Sequence, residues 1–155
     1  MLAIIEFGST VRGSVDKHSD RDLLIACDRH SHRALRKRYE ANGYSVSTLT
    51  PGQLNAMQKR GSLFIQHLKR ESRVLFDYQG CFQDWLSRCK LVRPTTDEIL
   101  RCVASIEFLC TWPGDARLDG WKSDVIYSLS RDLFIKKLAT KSKLVFGLED
   151  IECGL

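Results

Sequence analysis

The sequence predicts an α+β fold: a small β-sheet with flanking helices, followed by an all-helical C-terminal region. Three observations predict it. Short apolar runs alternate with helix-forming stretches up to residue 77, and beyond Cys81 no clear strand alternation recurs. The 155 residues, 43% apolar and 28% charged, suit a globular chain of one compact unit or two small ones. Tyr78-Gln79-Gly80 marks the change of character, so residues 1–78 and 79–155 are read as two parts.

The elements follow in order. Residues 2–7 are a short apolar run stopped by Gly8, a buried strand ending in a turn. Residues 9–13 start a loop or short helix that Gly13 breaks, and 14–19 are polar loop. Asp20 to Ala26 enters a second strand, acids first and apolar residues after. Residues 31–42 are rich in helix formers and stop at Asn42-Gly43. Tyr44 to Leu49 alternates with period two, a third strand. Thr50-Pro51 opens a helix over 51–59, and after Gly61 another covers 62–71. Residues 73–77 form a short closing strand.

In the back part, residues 82–91 read as helical and Arg93-Pro94 as a break. Thr95 or Thr96 caps the next helix, with Asp97 and Glu98 in its first turn. Ile99, Val103, Ile106 and Leu109-Cys110 recur on one face as core. Residues 112–115 turn, and 119–139 form a long helix with Val125, Leu129, Leu133, Ile135 and Leu138 at helical spacing.

Composition narrows function. No run approaches the roughly 18 apolar residues of a membrane span, and Met1 to Glu6 lacks the basic lead of a secretory signal. A soluble cytoplasmic protein with no membrane partner is the expectation. The six cysteines form no CxxC and have no histidine at ligand spacing, which disfavours zinc. Disulfides are not expected either, and Cys102 and Cys110 read as small buried hydrophobes. Of the net charge of +5, the whole excess lies in residues 1–80, with 13 basic against 8 acidic side chains; residues 81–155 carry 11 of each. Such a front would attract phosphates, although Arg33 to Arg38 equally fits a solvated helix face.

The segment from Phe7 to Ile25 carries the chemistry. Gly8-Ser9 after a strand lets backbone N–H groups and a hydroxyl approach phosphate oxygens. Asp20 and Asp22, at i and i+2 on a strand, face the same side. Two such carboxylates beside a phosphate cradle are what Mg2+ takes as ligands, and a pair of these ions can activate an attacking oxygen and stabilise departing pyrophosphate. Arg12 and Lys17, in the adjoining loop, are the candidates for phosphate contacts. His18 reads as a solvated loop histidine and His67 as a packing or surface residue.

Gly8-Ser9, Gly13 and Ser19-Asp20-Arg21-Asp22-Leu23 together resemble the signature of the DNA polymerase beta-type nucleotidyltransferase superfamily in its minimal prokaryotic form. Gly61 to Glu71 followed by Val74 to Asp77 is similar to the end of that domain. The resemblance implies a small mixed sheet. It implies that Gly8 and Ser9 bind a nucleoside triphosphate and that Asp20 and Asp22 hold Mg2+ and are catalytic. The reaction would transfer a nucleoside monophosphate to a hydroxyl of a protein, an RNA or a small molecule, releasing pyrophosphate.

Two features depart from the family. The strand Tyr44 to Leu49 lacks the usual third acid, which helps bind the catalytic metal and prepare the attacking hydroxyl; a serine hydroxyl is a weak substitute. Glu40 precedes that strand, Asp28 follows the second strand and Glu71 lies further on. The helix that usually precedes the first strand is also missing from this sequence. Both departures point to weakened or lost catalysis, so the alternative is a degenerate, antitoxin-like subunit that binds a nucleotide or a protein partner. A carboxylate reaching Asp20 and Asp22 across the sheet would favour the enzyme, and a serine or apolar neighbour there the binding role. Residues 127–139 weakly resemble helical domains that accompany such proteins, including the HEPN type. No histidine follows His67, which disfavours the Arg-x(4–6)-His ribonuclease motif. A nucleic-acid-binding module is the third reading, without a recognised reading motif to support it.

Overall fold

The computed structural model describes residues 1–13 and 21–147. The chain divides into two compact units, Met1–Val92 and Arg93–Leu155. The first contains strands β1 (Ala3–Phe7), β2 (Arg21–Ala26), β3 (Tyr44–Leu49) and β4 (Ser72–Asp77). Its helices are α1 (Ser9–Arg12), α2 (Arg29–Glu40), α3 (Pro51–Lys59), α4 (Leu63–Arg70) and α5 (Cys81–Arg88). The second contains α6 (Thr96–Thr111) and α7 (Asp119–Thr140). The expected fold class is therefore observed: a small mixed sheet with flanking helices, then helices alone.

The sheet order is β3-β2-β1-β4. β1 runs antiparallel to β2 and to β4, while β2 and β3 are parallel, joined by α2 as crossover. The β1–β4 register shifts between Ile4 and Ile5: Ile5 faces Val74 and Ile4 faces Phe76, so Leu75 is an extra residue in β4.

Alternation along the strands divides the core between two faces. On one, Ala3, Ile5, Phe7, Leu24 and Ala26 pack with Leu54 of α3, Ile65 and Leu68 of α4, and Phe82 and Leu86 of α5. On the other, Ile4, Leu23, Ile25, Cys27 and Val46 pack with Leu35 and Tyr39 of α2. Three central residues, Ile5, Leu23 and Leu24, are wholly buried, and each contributes roughly 1.5–3 kcal/mol of burial.

Local signals set the ends of the elements. The Thr50 hydroxyl accepts from the Gln53 N–H and Gln53 returns a bond to the Thr50 N–H, a capping box that starts α3 with Pro51 at its first position. Thr95 and Glu98 do the same for α6. The Asp77 carboxylate accepts from the N–H groups of Phe82 and Gln83 and so fixes the start of α5. In the second unit, Cys102, Leu109, Ile135, Leu138, Ala139 and Phe146 are buried. Cys110 corrects the sequence reading: it is exposed, because it lies one step round the helix from Leu109. No helix among the described residues is long and apolar enough to cross a membrane.

Candidate active site

The end of β1 gathers the site. Phe7 lies opposite Asp22 in the β1–β2 ladder, and Gly8 follows with φ 81° and ψ −148°, a conformation open in practice only to glycine. A Cβ built on Gly8 would stand 3.1 Å from Oδ2 of Asp22. The turn thus presses bare backbone against a carboxylate. Gly8 O accepts from the N–H groups of Val11 and Arg12 at 3.1 and 3.3 Å, forming α1, and Gly13 in the left-handed region ends it. Ser9 opens α1 beside this turn. The Thr10 hydroxyl is buried and has no hydrogen-bond partner among the described residues.

The turn is held from α4. Gly8 N–H donates to Glu71 O at 3.2 Å, and the Arg12 guanidinium forms an ion pair with Oε2 of Glu71. His67 Nε2 lies 3.2 Å from the same oxygen. Its ring meets Phe7 and Phe64 edge-on at 5.7 and 6.4 Å. Arg12, Glu71 and His67 are only 22, 16 and 13% exposed, so this network is sheltered from water and salt. The sequence reading counted Glu71 only among the other acids and His67 as a packing or surface residue, and linked neither to the Gly8 turn. Their one signal was an i, i+4 His–Glu pair ending a helix; the partner, Arg12, is 59 residues away in the chain.

Of the residues expected to act, Gly8, Ser9, Arg12 and Asp22 are brought together at this end of the sheet. Arg12 is engaged by Glu71. Asp20 and Lys17, like His18, lie outside the described residues. Neighbours of Asp22 on the flanking strands are Phe7 and Ser45, with Ser47 one step further on the same face, beside Leu24. Of the three other acids considered, Asp28 precedes α2 beyond the far end of β2 and Glu40 pairs with Arg36; only Glu71 reaches the Gly8 turn. Among the described residues, no group of three His, Cys, Asp or Glu side chains forms a metal cluster. Burial pushes the thiols of Cys27, Cys89 and Cys102 up from their ordinary pKa, which suits packing rather than nucleophilic chemistry.

Glu6, two residues before Gly8, was also missed. It lies on the opposite face of the sheet and is 1% exposed, between Arg21 and Arg73. An acid inside an apolar strand was the signal.

No curated protein matches this chain. A solved toxin-antitoxin crystal structure with AMP-PNP is similar at 17% identity and a TM-score of 0.39, over 81% of this chain and 86% of that one. Residues 2–77 match the sequence profile of the nucleotidyltransferase domain, the span that holds β1 to β4, the Gly8 turn and Asp22. The front of this chain therefore belongs to the nucleotidyltransferase domain family.

Proposed function

We propose that this chain is a Mg2+-dependent nucleotidyltransferase that moves a nucleoside monophosphate from a nucleoside triphosphate such as ATP to an acceptor hydroxyl. The close approach of the Gly8 backbone to the Asp22 carboxylate carries the reading. A side chain at position 8 would fill that space, and glycine leaves it for triphosphate oxygens. The Thr10 hydroxyl, unpartnered among the described residues, and the hard oxygen of Asp22 fit a phosphate–metal ligand. Asp20 and Asp22 would hold Mg2+, which when bound neutralises charge on the triphosphate. Gly8 and Ser9 would fix the triphosphate through backbone N–H groups and a hydroxyl. Arg12 would hold α1 against Glu71, and Lys17 is assigned to the outer phosphates. The acceptor oxygen attacks the α-phosphorus, the bond to the bridging oxygen breaks, and pyrophosphate leaves with the electron pair. The hydroxyl proton passes to solvent, because β3 places a serine beside Asp22. The acceptor is a protein, an RNA or a small molecule.

Ser45 beside Asp22 favours a second reading, a nucleotide-binding subunit that acts through a protein partner. One experiment separates the two. Labelled ATP, GTP, CTP and UTP are titrated with and without Mg2+, against the Asp20→Ala/Asp22→Ala variant, with pyrophosphate followed in the same samples. Mg2+-dependent binding lost in the variant, with pyrophosphate released on adding acceptors, is expected for the transferase. Binding without release selects the second reading, and no binding to any of the four overturns both.

A further inference from the structure

Glu6 is a buried acid that the proposed transfer does not use. Arg73 Nη2 donates to its Oε2 at 2.5 Å, and Arg21 Nη2 reaches its Oε1 at 3.5 Å. Arg21 also donates to the Tyr44 hydroxyl at 2.5 Å, and its Cζ sits 4.2 Å from the centre of that ring. One carboxylate therefore fixes two guanidiniums, whose Nη2 atoms lie within about 8 Å of each other. The cluster keeps one positive charge, on side chains 49 and 65% exposed. Among the described residues only Nη2 of each guanidinium is engaged, which leaves Nε and Nη1 of both. Such forks match phosphate oxygens in pairs, and Glu6 and Tyr44 have already restricted the side chains, lowering the ordering cost of binding. The same face carries α2, whose Arg29, Arg33, Lys37 and Arg38 are exposed, while Arg36 is paired with Glu40.

We infer that Glu6, Arg21 and Arg73 form a phosphate-binding site on the α2 face, separate from the Gly8 turn, that takes phosphate groups of a nucleic-acid strand. The two forks suffice for one phosphate, and the exposed cations of α2 extend the surface to a run of them. The inference does not depend on transfer at Gly8.

The test uses the full chain and a labelled single-stranded 12-nucleotide RNA over a salt series. Arg73→Gln is expected to weaken binding about tenfold and to lower the slope of log K against log salt by about 0.7, one phosphate contact. Arg73→Lys keeps the charge without the fork and should fall between Arg73→Gln and the parent. Glu6→Gln keeps every cation and removes an anion. Simple charge attraction predicts tighter binding for it; a site built on Glu6 predicts weaker binding. Inorganic phosphate should compete, and less so in Arg73→Gln. Thermal melting of each variant checks folding, and Arg73→Lys carries the test if Glu6→Gln does not fold. An Arg73→Gln chain matching the parent in affinity and slope, tighter binding by Glu6→Gln, or competition by poly-glutamate equal to that by RNA of equal charge would each overturn the assignment.

Discussion

The two faces of one sheet end treat a carboxylate differently. Toward α4, Glu71 meets one guanidinium, Arg12, with His67 beside the same oxygen, and every member of the network is sheltered. Toward α2, Glu6 is more deeply buried yet meets two guanidiniums that are themselves largely exposed. The first arrangement closes its charge locally, as suits a part that holds a turn in shape. The second leaves charge over and displays it. Burial of an acid therefore does not reveal its role; the count and exposure of its partners do.

The largest expected effect comes from stripping the second arrangement. Arg21→Ala with Arg73→Ala leaves Glu6 as a buried charge without its two cations, and stability measured by urea unfolding should fall by about 3–5 kcal/mol. A loss below about 1 kcal/mol would mean that water reaches Glu6 and that the two faces hold their carboxylates alike. Next, Gly8→Ala forces a side chain into a conformation it avoids and toward the Asp22 oxygen. It should cost about 1–3 kcal/mol and abolish Mg2+-dependent nucleotide binding; a variant that binds as the parent does would break the proposed site.

Glu71→Gln sharpens the contrast from the other side. The main-chain bond from Gly8 to residue 71 remains, so melting should shift little. Nucleotide binding should weaken about tenfold, near 1.4 kcal/mol, as Arg12 loses its ionic partner. Equal loss of binding and fold would make Glu71 a packing residue instead. The smallest effect lies outside both faces. The backbone N–H of Thr95 holds the Glu98 carboxyl below its ordinary pKa. The stability this gives is present above the ordinary carboxylate range and is lost as pH falls through the lowered value, where Glu98 becomes protonated in the folded state too. Glu98→Gln should cost under about 1 kcal/mol at neutral pH and flatten that acid limb; an unchanged limb would assign it to other carboxylates.

Much of the fold was legible because its signals are local. Thr50-Pro51, Asn42-Gly43 and the alternation of Tyr44 to Leu49 each act within a few residues, and the elements they bound appear where expected. The Gly8 turn was legible for the same reason: its neighbour Asp22 belongs to one continuous motif. The roles of Glu71 and Glu6 were not, because they depend on contacts across 59 and 67 residues to Arg12 and Arg73. Cys110 shows the limit of periodicity: apolar spacing named the α6 face to within one residue, and one residue on a helix separates buried from exposed.

The extra residue in β4 has a consequence for how this strand tolerates change. In a regular strand, residues 73 and 77 would share a face, being four apart. Leu75, as the inserted position, reverses the parity between them. Arg73 can therefore serve Glu6 on the α2 side while Asp77 caps α5 on the other. Substitutions at position 75 leave that division intact. A single-codon deletion there would not: whichever half of the strand kept its register, either the guanidinium or the helix cap would emerge on the wrong side of the sheet.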